Sequence, residues 1–268
     1  MELTERQQNE IEYHRAHACK KAAILNRPFS WDVLDNPSRR WWNAYWQMYA
    51  YLSDLDIKRK CVLVVGCGFG EDALRMAKLG ANVYAFDLSP DSLAIAKSLA
   101  DREGLKIVFG EMSAESLQYE SNYFDYVVAR DILHHVDIPS AMREIGRVSK
   151  PGALFIVNEV YSHSLTDRIR YSSIVESILY PRMRRFVYGS AEPYITKDER
   201  KLTELDIEAI TRSLQTLELQ KQFNFLVSRI MPDRYEIFSK IDRLLLIFFK
   251  PFRHLLAGRI FFAGRISK

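Results

Sequence analysis

Apolar runs and amphipathic stretches alternate through the middle of the chain. Runs rich in Val, Ile, Phe and Tyr near 61–65, 82–87, 106–109, 124–129 and 153–158 read as strands, and the stretches at 71–79, 90–103 and 139–149 carry helical spacing. Ser89-Pro90-Asp91 supplies an N-cap, a proline at the first helical position and an acid near the positive helix end. Pro139 opens the third helix, and Pro151-Gly152 is expected to stop it. This alternation predicts an α/β fold with a parallel sheet covered on both faces. Two further strands are expected near 220–229 and 259–266.

Outside the sheet, three stretches are helical in pattern. Residues 1–58 carry Tyr13, His14 and His17 and then Trp42, Trp46 and Tyr49 at helical spacing, read either as an aromatic face packed on the core or as a cap over a ligand. A basic, tyrosine-rich run follows the fifth strand as far as Tyr188, with Arg168, Arg170, Arg182, Arg184 and Arg185. It leaves the sheet at the carboxyl edge, where ligands of open parallel sheets bind, and is the candidate lid. In the third stretch, Phe238, Ile241, Leu245 and Phe248 form an apolar stripe ahead of Pro251. That run is shorter than the roughly 20 apolar residues a bilayer requires, so it should pack on the sheet or lid, or touch a membrane surface through Lys240, Arg243, Lys250 and Arg253. The organisation expected is an N-terminal helical cap at 1–58, a ligand-binding core at 59–160, a lid at 161–200, and completion of the sheet with an amphipathic helix at 201–268.

Length and composition constrain this picture. A chain of 268 residues with 48% hydrophobic content buries one substantial core. Cys19, Cys61 and Cys67 lack metal-site spacing, and their odd number with a polar, acidic start points to reduced thiols and a cytoplasmic location. The formal charge of +4 fits an acidic metabolite or a membrane surface and is too small to argue for nucleic acid.

Candidate chemistry begins where the strand Val62-Leu63-Val64-Val65 runs into Gly66-Cys67-Gly68-Phe69-Gly70 and a helix. Glycines there permit φ > 0 and close approach of a ligand, and the helix N-terminus offers N–H groups to an anion. Alone, the loop fits dinucleotides, other nucleosides or a merely tight turn. Asp87 ends the next strand, about twenty residues on, where a carboxylate can accept both hydroxyls of a ribose. The ligand class is then a nucleoside.

Four segments in order, VVGCGFG, FDLSPDSL, NYFDYVVARDILHHV and AMREIGRVSKPGALFIVNE, resemble the successive motifs of class I methyltransferases that use S-adenosylmethionine, especially the small-molecule branch. The resemblance runs from about Lys60 to Glu159. It implies a Rossmann-like seven-stranded, mostly parallel sheet with an antiparallel last strand. It also implies cofactor contacts from Gly66, Cys67, Gly68, Gly70, Asp87, Leu88, Met112, Ser113, Ala114 and Arg130. The family's acid in the first strand is Val64 here, and its adenine-contacting acid is replaced by Ser113. A nicotinamide dehydrogenase would share the glycine loop and Asp87 but gives the later blocks no role.

The resemblance implies methyl transfer to an oxygen or nitrogen of a small molecule, acidic or lipid-like. Alternatives are a lipid-linked acceptor at a membrane surface and a non-catalytic cofactor-binding partner protein. Displacement at an activated methyl needs alignment first, and a base only for a protonated nucleophile. His134 and His135, at the carboxyl end of the fourth strand, are candidate bases or loop-fixing residues, with Glu159 as a further candidate. His14, His17, Tyr161, Arg168 and Arg170 are candidate acceptor contacts. No metal is expected, because adjacent histidines at a strand end lack partner ligands nearby. Nucleic-acid methylation is disfavoured by the lack of an Asn-Pro-Pro-type motif.

Overall fold

The computed structural model describes residues 4–170, 172–188 and 200–268. Three helices precede the sheet: α1 (Glu5–Lys21), α2 (Asp32–Asp35) and α3 (Ala44–Ser53). Strand and helix then alternate as β1 (Cys61–Val65), α4 (Glu71–Lys78), β2 (Asn82–Asp87), α5 (Pro90–Arg102) and β3 (Ile107–Glu111). The second half runs β4 (Phe124–Arg130), α6 (Ile138–Val148) and β5 (Ser149–Val160), then helices α7 (Ser164–Arg170), α8 (Tyr180–Tyr188) and α9 (Glu204–Arg212). Strand β6 (Leu214–Phe223), helices α10 (Glu236–Phe248) and α11 (Arg253–Leu256), and strand β7 (Arg259–Ile266) complete the chain.

The seven strands are ordered β3-β2-β1-β4-β5-β7-β6, and β7 is antiparallel to both neighbours. The central strands are apolar throughout because both faces are covered. Leu63 and Val65 point with Phe86, Val127 and Phe155 into the layer closed by α6 and α9, while Val62 and Val64 join Val83, Val128 and Ile156 beneath α3 and α4. Strand order reverses between β1 and β4, and this opens a crevice at their carboxyl ends.

Several expectations are corrected. The sixth strand lies at 214–223 rather than 220–229, because Asn224 takes a left-handed conformation (φ 63°) and the next three amides turn away to the Asp242 carboxylate. Pro151-Gly152 does not end α6. The helix stops at Val148, Ser149 is already extended, and the Pro-Gly pair sits within a register shift of β5. The aromatic cluster of α3 is core, with Trp46, Met48 and Tyr49 buried. On α10 the stripe Phe238, Ile241, Leu245 and Phe248 is not the buried face: Ser239, Asp242 and Leu246 are. In the expected lid, residues 171 and 189–199 and the side chain of Arg170 lie outside the described residues.

Candidate active site

A cavity of about 360 Å³ occupies the crevice. Its floor is the β1–α4 loop. Gly66 (φ 59°) has no room for a side chain, since a Cβ would overlap Ile132, whereas Gly68 (φ 52°) faces open space. Asp87, at the end of β2, is buried; its Oδ2 accepts from the Gly68 amide at 2.7 Å and its Oδ1 from the Ser89 amide at 2.9 Å. The loop and the acid are therefore locked together, and each carboxylate oxygen keeps a further lone pair for a ligand hydroxyl.

Where the family carries an acid near adenine, Ser113 holds a different arrangement. Its hydroxyl donates to the Glu115 carboxylate and accepts from Gln7 Nε2 at 3.2 Å. Glu115 thus returns a carboxylate to this wall from two residues further on. Below the loop, Val64 is simply core. The charges lie instead in a network in which Arg130 Nε donates to Asp72 at 2.6 Å, Tyr49 donates to the same carboxylate, and Asp131 accepts from Arg259. Burial disfavours the charged Arg130, but Asp72, Asp131 and the neighbouring tyrosines together outweigh it and hold its pKa above the usual value. Burial would raise the Asp131 carboxyl, but Arg259 and Arg130 overcome it and hold it below the usual range. Burial and the nearby Asp87 push the Cys67 thiol well up, so it is no nucleophile at neutral pH.

A depressed folded-state pKa contributes stability above the unfolded value of about 3.9, and that contribution is lost as pH falls through the folded value. Asp131→Asn should therefore flatten the acid limb of the stability curve below about pH 4, read by denaturant unfolding at several pH values.

Helix α1 roofs the cavity. Gln7, Glu10, Ile11, His14 and His17 lie on one face and line it. Arg6 donates to the His134 carbonyl at 2.7 Å, and His17 stacks on Phe69 with ring centroids 5.6 Å apart. The two candidate histidines part company at β4's end. His134 is 3% exposed and its Nδ1 lies 2.7 Å from Glu159. Glu159 is fully buried and also accepts the Ile132 and Leu133 amides at 2.7 Å each. Neither His134 nor Glu159 lines the cavity, whereas His135 does, with its Nδ1 3.0 Å from Glu10 of α1.

The cavity wall brings together Gly66, Cys67, Gly68, Asp87, Leu88, Met112, Ser113, Ala114, Arg130, His14, His17 and His135. Gly70 stands outside it, capping α4 with φ 83°. Tyr161 is buried elsewhere, its hydroxyl donating to the His254 carbonyl at 2.9 Å, and Arg168 is exposed on α7 away from the wall. Sequence reasoning missed Gln7, Glu10, Ile11 and Glu115. Glu10 and Ile11 were readable as companions of His14 four and three residues before it, and Gln7 as the next step back along the same helical face. Among the described residues no group of three His, Cys, Asp or Glu side chains could hold a metal ion.

A switch-point cavity with a glycine loop, a ribose-level acid and a helical roof defines a nucleoside-cofactor site of the methyltransferase type. Residues 63–157 match the family model described as "Methyltransferase domain". The ubiquinone biosynthesis O-methyltransferase of Xanthomonas oryzae is 34% identical over 143 residues, 52% of this chain and 59% of that protein. Its namesake in Methylocella silvestris is 37% identical over 94 residues, 35% of this chain and 37% of that one. The chain thus spans less than two thirds of these curated relatives. Among solved structures, phosphoethanolamine N-methyltransferase 2 of Haemonchus contortus, in complex with S-adenosyl-L-methionine, superposes with TM-score 0.55 at 21% identity, covering 83% of this chain and 52% of that one. A methyltransferase from Aquifex aeolicus gives TM-score 0.51 at 16% identity, covering 87% and 95%. Residues 63–157 thus carry a methyltransferase domain, set in a fold shared with S-adenosylmethionine-dependent methyltransferases.

Proposed function

We propose that the protein transfers a methyl group from S-adenosylmethionine to a hydroxyl oxygen of a small, lipid-like acceptor, with His135 as the base. The observation that carries this reading is the Glu10–His135 pair on the cavity wall. With Nδ1–H donating to a carboxylate, the neutral ring presents Nε2 as its proton acceptor, and the carboxylate stabilises the cation that forms. When bound, S-adenosylmethionine supplies an electrophilic methyl group with a neutral thioether as leaving group.

The chain's own residues fit that cofactor. Asp87 would accept the ribose hydroxyls, the amides of the Gly66–Gly68 loop would meet its polar end, and Ser113 with Glu115 would hold the adenine edge. Ile11, Phe69, Phe86, Met112, Ile132 and Val136 give the remaining wall an apolar character suited to an acceptor with hydrocarbon surface. The names of the curated relatives support an oxygen acceptor.

Asp87→Ala should weaken S-adenosylhomocysteine binding by about 1.5–3 kcal/mol, roughly 10- to 150-fold, through loss of charge-assisted hydrogen bonds. Calorimetry on the folded variant reads this directly, and unchanged affinity would remove the ribose assignment. The acceptor is tested with labelled donor and hydroxylated aromatics bearing short or long apolar tails. Label passing only to amines would overturn the oxygen assignment, and cofactor binding without turnover of any acceptor would favour a non-catalytic binder.

A further inference from the structure

Helix α10 buries Ser239 and Asp242 beside Leu246 and leaves several large apolar side chains exposed. Ser239 accepts the Trp42 indole N–H at 2.8 Å, and Asp242 holds the Phe225 and Val227 amides at 3.0 Å each. Toward solvent stand Ile237, Leu244 (66% exposed), Ile247 and Phe248 (78% exposed), with Phe252 beyond the helix end. The ring of Phe186 on α8, itself half exposed, meets Phe238 and extends this face. Contiguous apolar surface of this kind marks an interaction site rather than scattered surface residues.

Beside it lies a second cavity, of about 210 Å³, between the start of α3, the end of β6 and α10. Lys221, Arg243 and Arg253 line it. Two of them meet neutral acceptors: Lys221 donates to Gln47 Oε1 at 2.6 Å and Arg243 to the Trp41 carbonyl at 2.9 Å. The cavity's carboxylate, Asp242, is already held by backbone amides. Burial and the neighbouring Arg243 hold the Lys221 ammonium below its usual range, as expected of cations gathered without a matching anion. Ile247 belongs both to this cavity's wall and to the exposed apolar face.

We propose that α10, Phe252 and this cavity form a docking site for a bilayer containing anionic phospholipid. Lys221, Arg243 and Arg253 take the headgroup phosphate, and Ile237, Leu244, Ile247 and Phe248 enter the acyl boundary. A cationic hollow opening beside an apolar helix face complements an amphiphile that carries both features at that separation. A second copy of this chain is the poorer match, since a twofold contact through this patch would bring two sets of cations together. No helix among the described residues is long and apolar enough to cross a membrane, so attachment here is lateral.

The test is co-sedimentation of the full chain with vesicles of phosphatidylcholine alone or mixed with phosphatidylglycerol. Binding should favour the anionic vesicles at least about tenfold. Phe248→Glu should lower that binding about tenfold or more. Arg243→Gln with Arg253→Gln should lower it about 25-fold, roughly fivefold per arginine. All variants should keep S-adenosylhomocysteine binding within about twofold by calorimetry, because the other cavity is untouched, and this also verifies folding. Equal binding to both vesicle types, or indifference to Phe248→Glu, overturns the proposal. So does protection of residues 239–253 from hydrogen exchange by inorganic phosphate with nothing added by vesicles, which would mean a soluble anion. A parent dimer that Phe248→Glu makes monomeric, without vesicle binding, overturns it in favour of self-association.

Discussion

Replacing His135 with alanine should lower kcat by about 10² to 10⁴ while S-adenosylhomocysteine binding stays near that of the parent. The expectation rests on position, because His135 lies on the cavity wall and its neighbour His134 does not. Glu10→Gln should reproduce part of the loss by removing the charge behind the ring, and should lower kcat while leaving the acceptor's KM near that of the parent. Full activity in His135→Ala would leave alignment alone as the source of rate, and a collapse of cofactor binding would make the residue structural.

The second large effect is on stability. Glu159→Ala should destabilise the fold by about 3–5 kcal/mol, because it strands the Ile132 and Leu133 amides and the His134 ring in a fully buried site. For a chain of this length the melting temperature should fall by on the order of 10 °C. Glu159→Gln keeps an acceptor for the two amides and should recover part of that loss. Thermal unfolding decides the matter: a variant as stable as the parent but inactive would return Glu159 to the catalytic candidates.

The core was legible because its signals are local. A buried strand, glycines at positive φ and an acid one strand away are each written within a few residues, and β1, β2 and β7 fall where the pattern put them. The His134–Glu159 partnership was not legible, since 25 residues separate the pair and only the sheet brings them together. Adjacent histidines look equivalent in sequence, and the tight turn after β4 sends one inward and one to the cavity. Arg168 and Tyr161 were placed by the rule that ligands sit outside strand ends, but neither lines the cavity: Tyr161 is buried against the His254 carbonyl and Arg168 is exposed on α7. On α10 the stripe was read from hydropathy alone. The polar side chains had stronger claims on the interior, because Asp242 and Ser239 satisfy backbone and indole donors that would otherwise be buried unpaired.

The roof of the cavity carries a consequence for timing. Helix α1 supplies both the cover and, through Glu10, the partner that sets the tautomer of His135. Lifting the helix to admit or release a molecule also removes that carboxylate from the ring, so an open site holds an unassisted imidazole and only a shut one is armed. With His135 as the proposed base, reaction would be confined to the interval in which the acceptor is enclosed, and a molecule too bulky for the helix to settle over would occupy the crevice without being modified.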